Sequence, residues 1–231
     1  ELTLSLTVLI LSCDIFNKLW SRILKVPTNI ESRLITALIL FLILEPSTSV
    51  EGIGIAVVSG MIAMGSKYLF TLKHKHLFNP AGIALVLLGG LGIGSGIWWV
   101  ATSIMLPVVL LGLLVVRKIR KANLFFSFLI FALGTMLIQA FLKGQDLRDL
   151  LPAVFMSWPL IFFGTIMLTE PLTSPVQKKQ QVLFGALVGV LFGSQFQLGA
   201  FYSSPELSLI IGNLFAFLVS SNDRQKIKLK E

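Results

Sequence analysis

The sequence predicts an all-α polytopic membrane protein of about nine transmembrane helices, arranged as an inverted repeat of five spans followed by four. Three observations predict it. First, the 231 residues are 55% hydrophobic and only 13% charged, with a mean hydropathy of +0.88, too few charges to coat a soluble core. Second, the apolar residues fall in runs of roughly 16 to 20, the length at which a helix crosses a hydrocarbon layer of about 30 Å. Third, an offset of 125 positions carries several punctuation residues onto residues of the same kind. Soluble-enzyme and nucleic-acid functions are thereby excluded. The net charge of +8 sits in short clusters between apolar runs, as in loops at a membrane surface, and not in a basic stripe interleaved with aromatics.

Taken in order, span A covers residues 1–16, B 34–46, C 52–70, D 79–93 and E 97–116. The second set is A′ at 123–142, B′ at 151–169, C′ at 181–198 and D′ at 205–220. D and E come from one long apolar stretch that Gly89, Gly90, Gly92, Gly94 and Gly96 divide, so they form a helical hairpin around a tight turn. Two repeat units follow, 1–116 and 117–231, the second ending in a basic tail, Asp223 to Glu231, that reads as a solvated helix end. Glu1 opens directly on an apolar run, so the native N-terminus is expected to lie upstream, after a cleaved signal peptide or a trimmed segment.

Orientation follows from the basic residues. With nine spans, 17 of the 19 Lys and Arg residues fall on one side, leaving Lys143 and Arg148 opposite. Basic residues are retained in cytoplasmic loops, which places the N-terminus outside and the C-terminus inside. Trp20, Trp98 and Trp99 sit beside span ends as interfacial aromatics, whereas Trp158 falls within B′. Cys13 is the single cysteine and lies in an apolar run, where it reads as a small core residue.

The repeat rests on three correspondences. Glu45-Pro46-Ser47-Thr48-Ser49 falls on Glu170-Pro171-Leu172-Thr173-Ser174, Gly60 on Gly185, and Asn79-Pro80 on Ser204-Pro205. An odd number of spans in the first unit makes the second enter the membrane upside down, and such folds place their sites between the repeats. Pro at a first helical position lacks the N–H that would be orphaned there, and Asn or Ser before it caps the next donors. Pro80 and Pro175 both fall on the inner side, where the helix starts they mark would form a small polar, anion-tolerant pocket. The competing reading is that these residues are only turns and caps. A carboxylate kept twice near the membrane, Glu45 and Glu170, is the argument against it.

Other motifs carry less. Gly89 to Gly96 lacks phosphate-loop spacing and follows no strand. His74 and His76 are two residues apart in a Lys-rich loop without a nearby acid or thiol, so no metal site and no Ser/His/Asp constellation is expected.

Several segments together resemble the RnfD/NqrB family, the flavin-carrying membrane components of two respiratory complexes, the Rnf ferredoxin:NAD oxidoreductase and the sodium-pumping NADH:quinone oxidoreductase. His76-Leu77-Phe78-Asn79-Pro80-Ala81-Gly82 is similar to the family's Asn-Pro-Ala helix start. Met167-Leu168-Thr169-Glu170-Pro171-Leu172-Thr173-Ser174 resembles its Met-x-Thr-Asp-Pro-x-x-Ser element, with Glu170 in place of Asp. Gly185-Ala186-Leu187-Val188-Gly189-Val190 and Gly212-Asn213-Leu214-Phe215-Ala216 resemble the runs that follow. The resemblance covers most of the chain and identifies it as a short, divergent member. It implies an inverted-repeat scaffold related to urea and ammonium channels, a bacterial inner-membrane location, and a flavin, riboflavin or FMN. It also implies a redox partner protein, or a reductase domain following residue 231, on the cytoplasmic side.

Family members attach FMN through a Thr in a long outer segment between D and E. Here that segment is the short glycine turn, with Ser95 as its only hydroxyl and Thr102 already inside E, so the flavin is expected to be held noncovalently. The expected pocket is lined by Asn79, Pro80, Thr169, Glu170, Thr173 and Ser174. The function expected is electron transfer within or across the membrane, with the cofactor supplying the redox chemistry, and coupling to an ion is compatible with it. The alternative on the same scaffold is a channel or transporter for a small polar solute or cation, with Glu45, Thr48 and Glu170 as its candidates.

Overall fold

A computed structural model describes residues 1–28, 30–72, 75–101, 105–146, 148, 159–194, 196–199 and 201–219. Outside the described residues lie His74, Thr102, Trp158, the start of span B′ and the basic tail. The described chain is predominantly helical. The helices are α1 (Leu2–Leu24), α2 (Ile30–Ile43), α3 (Val50–Leu69), α4 (Pro80–Gly90), α5 (Met105–Lys118), α6 (Ala122–Leu142), α7 (Leu160–Phe162), α8 (Lys178–Gly193) and α9 (Pro205–Val219). Two-residue strands form two antiparallel hairpins, β1 (Thr71–Leu72) with β2 (Lys75–His76) and β3 (Gln197–Leu198) with β4 (Phe201–Tyr202).

Among the described residues three helices, α1, α3 and α6, are long and apolar enough to cross a membrane. Their outward faces are apolar: Leu11, Ile15, Leu19 and Ile23 form an exposed stripe at four-residue spacing on α1. The inward face of α1 holds Ser5, Ser12, Cys13 and Asn17, the reverse of the pattern that water imposes on a helix. Phe126, Ile130, Ile138 and Phe141 project similarly from α6.

Helix α1 runs eight residues beyond the expected end of span A. Its polar interruption is neutralised, because Asp14 pairs with Lys18 at 2.7 Å and with Arg33 of α2. The helix ends at Lys25, in the left-handed region at φ 53°. Span E starts later than expected. The N–H groups of Ile97 and Trp98 both donate to the carbonyl of Ile43 at the end of α2. The chain therefore folds back there and makes one 3₁₀ turn at Trp99–Ala101, and the described part of span E is the helix α5 from Met105. Trp98, expected at the interface, is buried.

Two stretches of the chain are built alike. In each, a helix is followed by a two-residue hairpin and then by a short helix starting at Pro: α3, β1–β2 and α4 in the first, α8, β3–β4 and α9 in the second. Gly60 of α3 lies so close to α1 that a Cβ would strike the Ser12 side chain, and Gly185 of α8 lies as close to α6, where a Cβ would stand 2.5 Å from the Leu124 carbonyl oxygen. Ser12 Oγ donates to the Val57 carbonyl at 3.0 Å, and Ser127 Oγ to the Val182 carbonyl at 2.7 Å. The acceptors, like the two glycines, are 125 positions apart.

Helices α4 and α9 pack against each other in opposite directions. Asn79, at the start of α4, meets Asn213 in the second half of α9, and Gly90, at the end of α4, meets Phe201 just before α9 begins. Helix α7 passes directly into a π-helical turn, Phe163–Met167.

Candidate functional site: a carboxylate at a helix start

Helix α4 begins as its sequence dictates. Asn79 is extended at φ −61° and ψ 123°, its Oδ1 accepts from the Gly82 N–H at 2.9 Å, and Pro80 occupies the first helical position. At the equivalent start of α9, Ser204 Oγ accepts from the Leu207 N–H at 3.1 Å.

The remaining polar atoms of Asn79 reach outside its own helix. Its backbone N–H donates to Asn213 Oδ1 at 2.8 Å, and its Nδ2 donates to Glu170 Oε2 at 2.9 Å. The same carboxylate oxygen accepts from Thr173 Oγ1 at 3.0 Å. Asn213 Nδ2 completes the cluster by donating to the Thr173 carbonyl at 3.3 Å. Ser174 Oγ closes the turn on the Glu170 carbonyl at 2.6 Å. Asn79, Asn213, Thr173 and Ser174 are buried, and Glu170 is partly buried. An anion held by two neutral donors suits an interior where water is scarce.

Of the residues expected to form this pocket, Asn79, Pro80, Glu170, Thr173 and Ser174 come together. Thr169 is buried beside them, but its hydroxyl is spent on the carbonyl of Thr165 at 2.5 Å. Pro175 does not start a helix: α8 begins at Lys178, and the Pro175 carbonyl instead accepts from the buried Lys121 ammonium. Glu45 and Thr48 are exposed and lie at the other end of the molecule, beyond the end of α2. Glu45 borders an open cleft of about 310 Å³ with Ser5, Ser47 and Ser49.

Three buried groups lie outside the expected pocket residues. Asn213 contributes to the cluster from α9, although only its place in a familiar run marked it. Lys67, counted in the sequence only among the basic residues that close span C, is 6% exposed on α3 and lies within electrostatic reach of Glu170. Glu206, in the first turn of α9, is 4% exposed and accepts from Trp98 Nε1 at 3.0 Å. It borders a cavity of about 580 Å³ at the opposite end of α4, whose wall includes Trp98, Gln139, Lys143 and Phe192. The rings of Trp98, Phe128, Phe163 and Phe192 pack on one another there, with centroids 5.1 to 6.1 Å apart. Among the described residues no group of three or more His, Cys, Asp or Glu could hold a metal ion.

Comparison with known proteins finds no matching family model and no matching curated protein.

Proposed function

We propose that the chain is a membrane electron-transfer subunit, built as an inverted repeat of about nine spans, that binds a flavin noncovalently at the Asn79–Glu170 cluster. The observation that carries this reading is a convergence. Three segments chosen for their likeness to flavin-carrying membrane proteins, around Asn79, Glu170 and Asn213, lie far apart in sequence and join in one hydrogen-bonded cluster. The duplicated helix–hairpin–helix stretches and the matched Ser12 and Ser127 contacts support the inverted repeat. On this reading the positive dipole end of α4 meets a ring carbonyl or phosphate. Glu170 and Thr173 hold the polar edge, and a redox partner docks on the cytoplasmic side. The protein contributes orientation, burial and charge, while the flavin performs the redox chemistry.

The second reading, a channel or transporter for a small polar solute or cation, is favoured by the large cavity over the buried Glu206. Natively purified protein separates the two. A flavoprotein is yellow, and acid precipitation releases its flavin to the supernatant. Flavin retained by the denatured pellet defeats noncovalent binding, and colourless, well-folded protein leaves the transport reading in possession.

A further inference from the structure

Apart from the Glu170 cluster, a pocket of about 280 Å³ opens where α1, α2 and α3 meet the β1–β2 hairpin. We propose that it binds a phosphate-type oxyanion, either free phosphate or the phosphate of a lipid headgroup.

The pocket is a collection of donors around a buried positive charge. Lys67 Nζ makes two hydrogen bonds, both 2.8 Å long, to the carbonyl and the hydroxyl of Ser32. Those acceptors are neutral, and among the described residues no carboxylate lies within ion-pair distance of the ammonium. Glu170 acts on it only at longer range. Buried charges are ordinarily paired, so the site lacks an anion.

Asn17 supplies the second, independent observation. It is 3% exposed, and its Oδ1 lies 2.8 Å from the Tyr68 hydroxyl. Its Nδ2 is buried with no partner among the described residues. Buried amide donors are almost always satisfied, and one left open beside a cationic pocket needs an acceptor from outside the chain. His76 closes the wall, its Nδ1 3.1 Å from the Lys67 carbonyl. Among the described residues no acidic side chain lines the pocket.

A tetrahedral oxyanion answers each of these needs, because several oxygens can accept at once from an ammonium and an amide. Exposed Leu24, Val26 and Pro27 form the rim, an apolar border that also suits the glycerol and first methylenes of a lipid.

The test uses the full-length protein, purified in detergent and delipidated. Inorganic phosphate is titrated while the thermal melt is followed, and phosphatidylglycerol or phosphatidylcholine is added in mixed micelles and read by native mass spectrometry. The expected result is a saturable melt shift with phosphate, or retention of one phosphatidylglycerol in preference to phosphatidylcholine. Asn17→Asp preserves the acceptor for Tyr68 but sets a negative charge where the amide stood, and it should weaken that binding at least about tenfold. Lys67→Met should do the same, and if it fails to fold, Asn17→Asp decides alone. A response to phosphate alone assigns the free ion, and one to phosphatidylglycerol alone assigns the lipid. No response to either probe, or a response unchanged in Asn17→Asp, overturns the proposal.

Discussion

Asn79 and Glu170, 91 positions apart, share a hydrogen bond of 2.9 Å that ties the first turn of α4 to the turn following α7. Asn79 uses its side-chain oxygen as a helix cap and its side-chain nitrogen as a donor to the carboxylate. One residue thus sets both the direction of α4 and the position of Glu170.

Asn79→Ala removes both functions. Loss of the cap costs about 1 kcal/mol, and a carboxylate deprived of a buried donor costs about 1–3 kcal/mol more. A thermal melt should show the sum. Asn79→Asp keeps the cap oxygen but faces Glu170 with a second carboxylate, so on the proposed function it should lose flavin absorbance more completely than its melt alone explains. Equal absorbance per folded molecule in all three proteins would remove Asn79 from the site.

Ser12→Ala and Ser127→Ala should destabilise by similar amounts, about 1 kcal/mol each, because both hydroxyls bridge a long helix to a carbonyl of its partner. Their distance predicts additivity in the double variant. A measured cost confined to one of them would break the parallel between the two halves.

Gly185→Val should be severe, since the added side chain meets the Leu124 backbone of α6, which has nowhere to retreat. Overpacking of this kind costs roughly 1–3 kcal/mol or more. Gly134→Ala, on the same α6 with nothing near its missing Cβ, should instead stabilise by about 0.5–1 kcal/mol. Expression level and melting temperature in a fixed detergent distinguish them.

His76 predicts a pH dependence. Burial, and then the charge of Lys67, hold its pKa below the ordinary 6.5, against a smaller opposing effect of its bond to the Lys67 carbonyl. The unfolded chain therefore takes up the proton first as pH falls. Stability is complete above 6.5, declines as pH drops through 6.5, and levels off below the folded value. Melts between about pH 7.5 and 5 should show this slope in the wild type and lose it in His76→Gln.

Labelling tests the orientation. A cysteine at Lys143 should react with an impermeant maleimide from outside the cell, and one at Lys118 only after permeabilisation. Cys13 is buried and contributes little background. Labelling of position 143 only from inside would reverse the topology.

The helices and their starts were legible because local chemistry makes them. Asn79-Pro80 and Ser204-Pro205 announce caps, and both cap the N–H three residues on. Gly60 and Gly185 were legible as a matched pair by their spacing, and the fold puts each hard against a neighbouring helix. What was hidden depends on partners remote in sequence. Lys67 reads as one more basic residue at a span end until Ser32, 35 positions away, accepts its hydrogen bonds. Trp98 reads as interfacial until the chain turns back on Ile43 and delivers its indole to Glu206, 108 positions on. Glu45 differs from its counterpart in a way that symmetry does not foretell: the repeat pairs it with Glu170, but it stands exposed beyond the end of α2, beside an open cleft.

The π-helical turn at Phe163–Met167 holds one residue more than an α-helical path would need. Each helical residue rotates the chain by about 100°, so that surplus residue governs the azimuth at which Glu170 leaves the helix. Deleting one residue from the turn would allow an ordinary α-helical register and a sturdier local ladder of hydrogen bonds. It would also swing the carboxylate roughly a quarter-turn away from Asn79. The irregularity is thus an aiming device whose correction would yield a better helix and a misdirected glutamate.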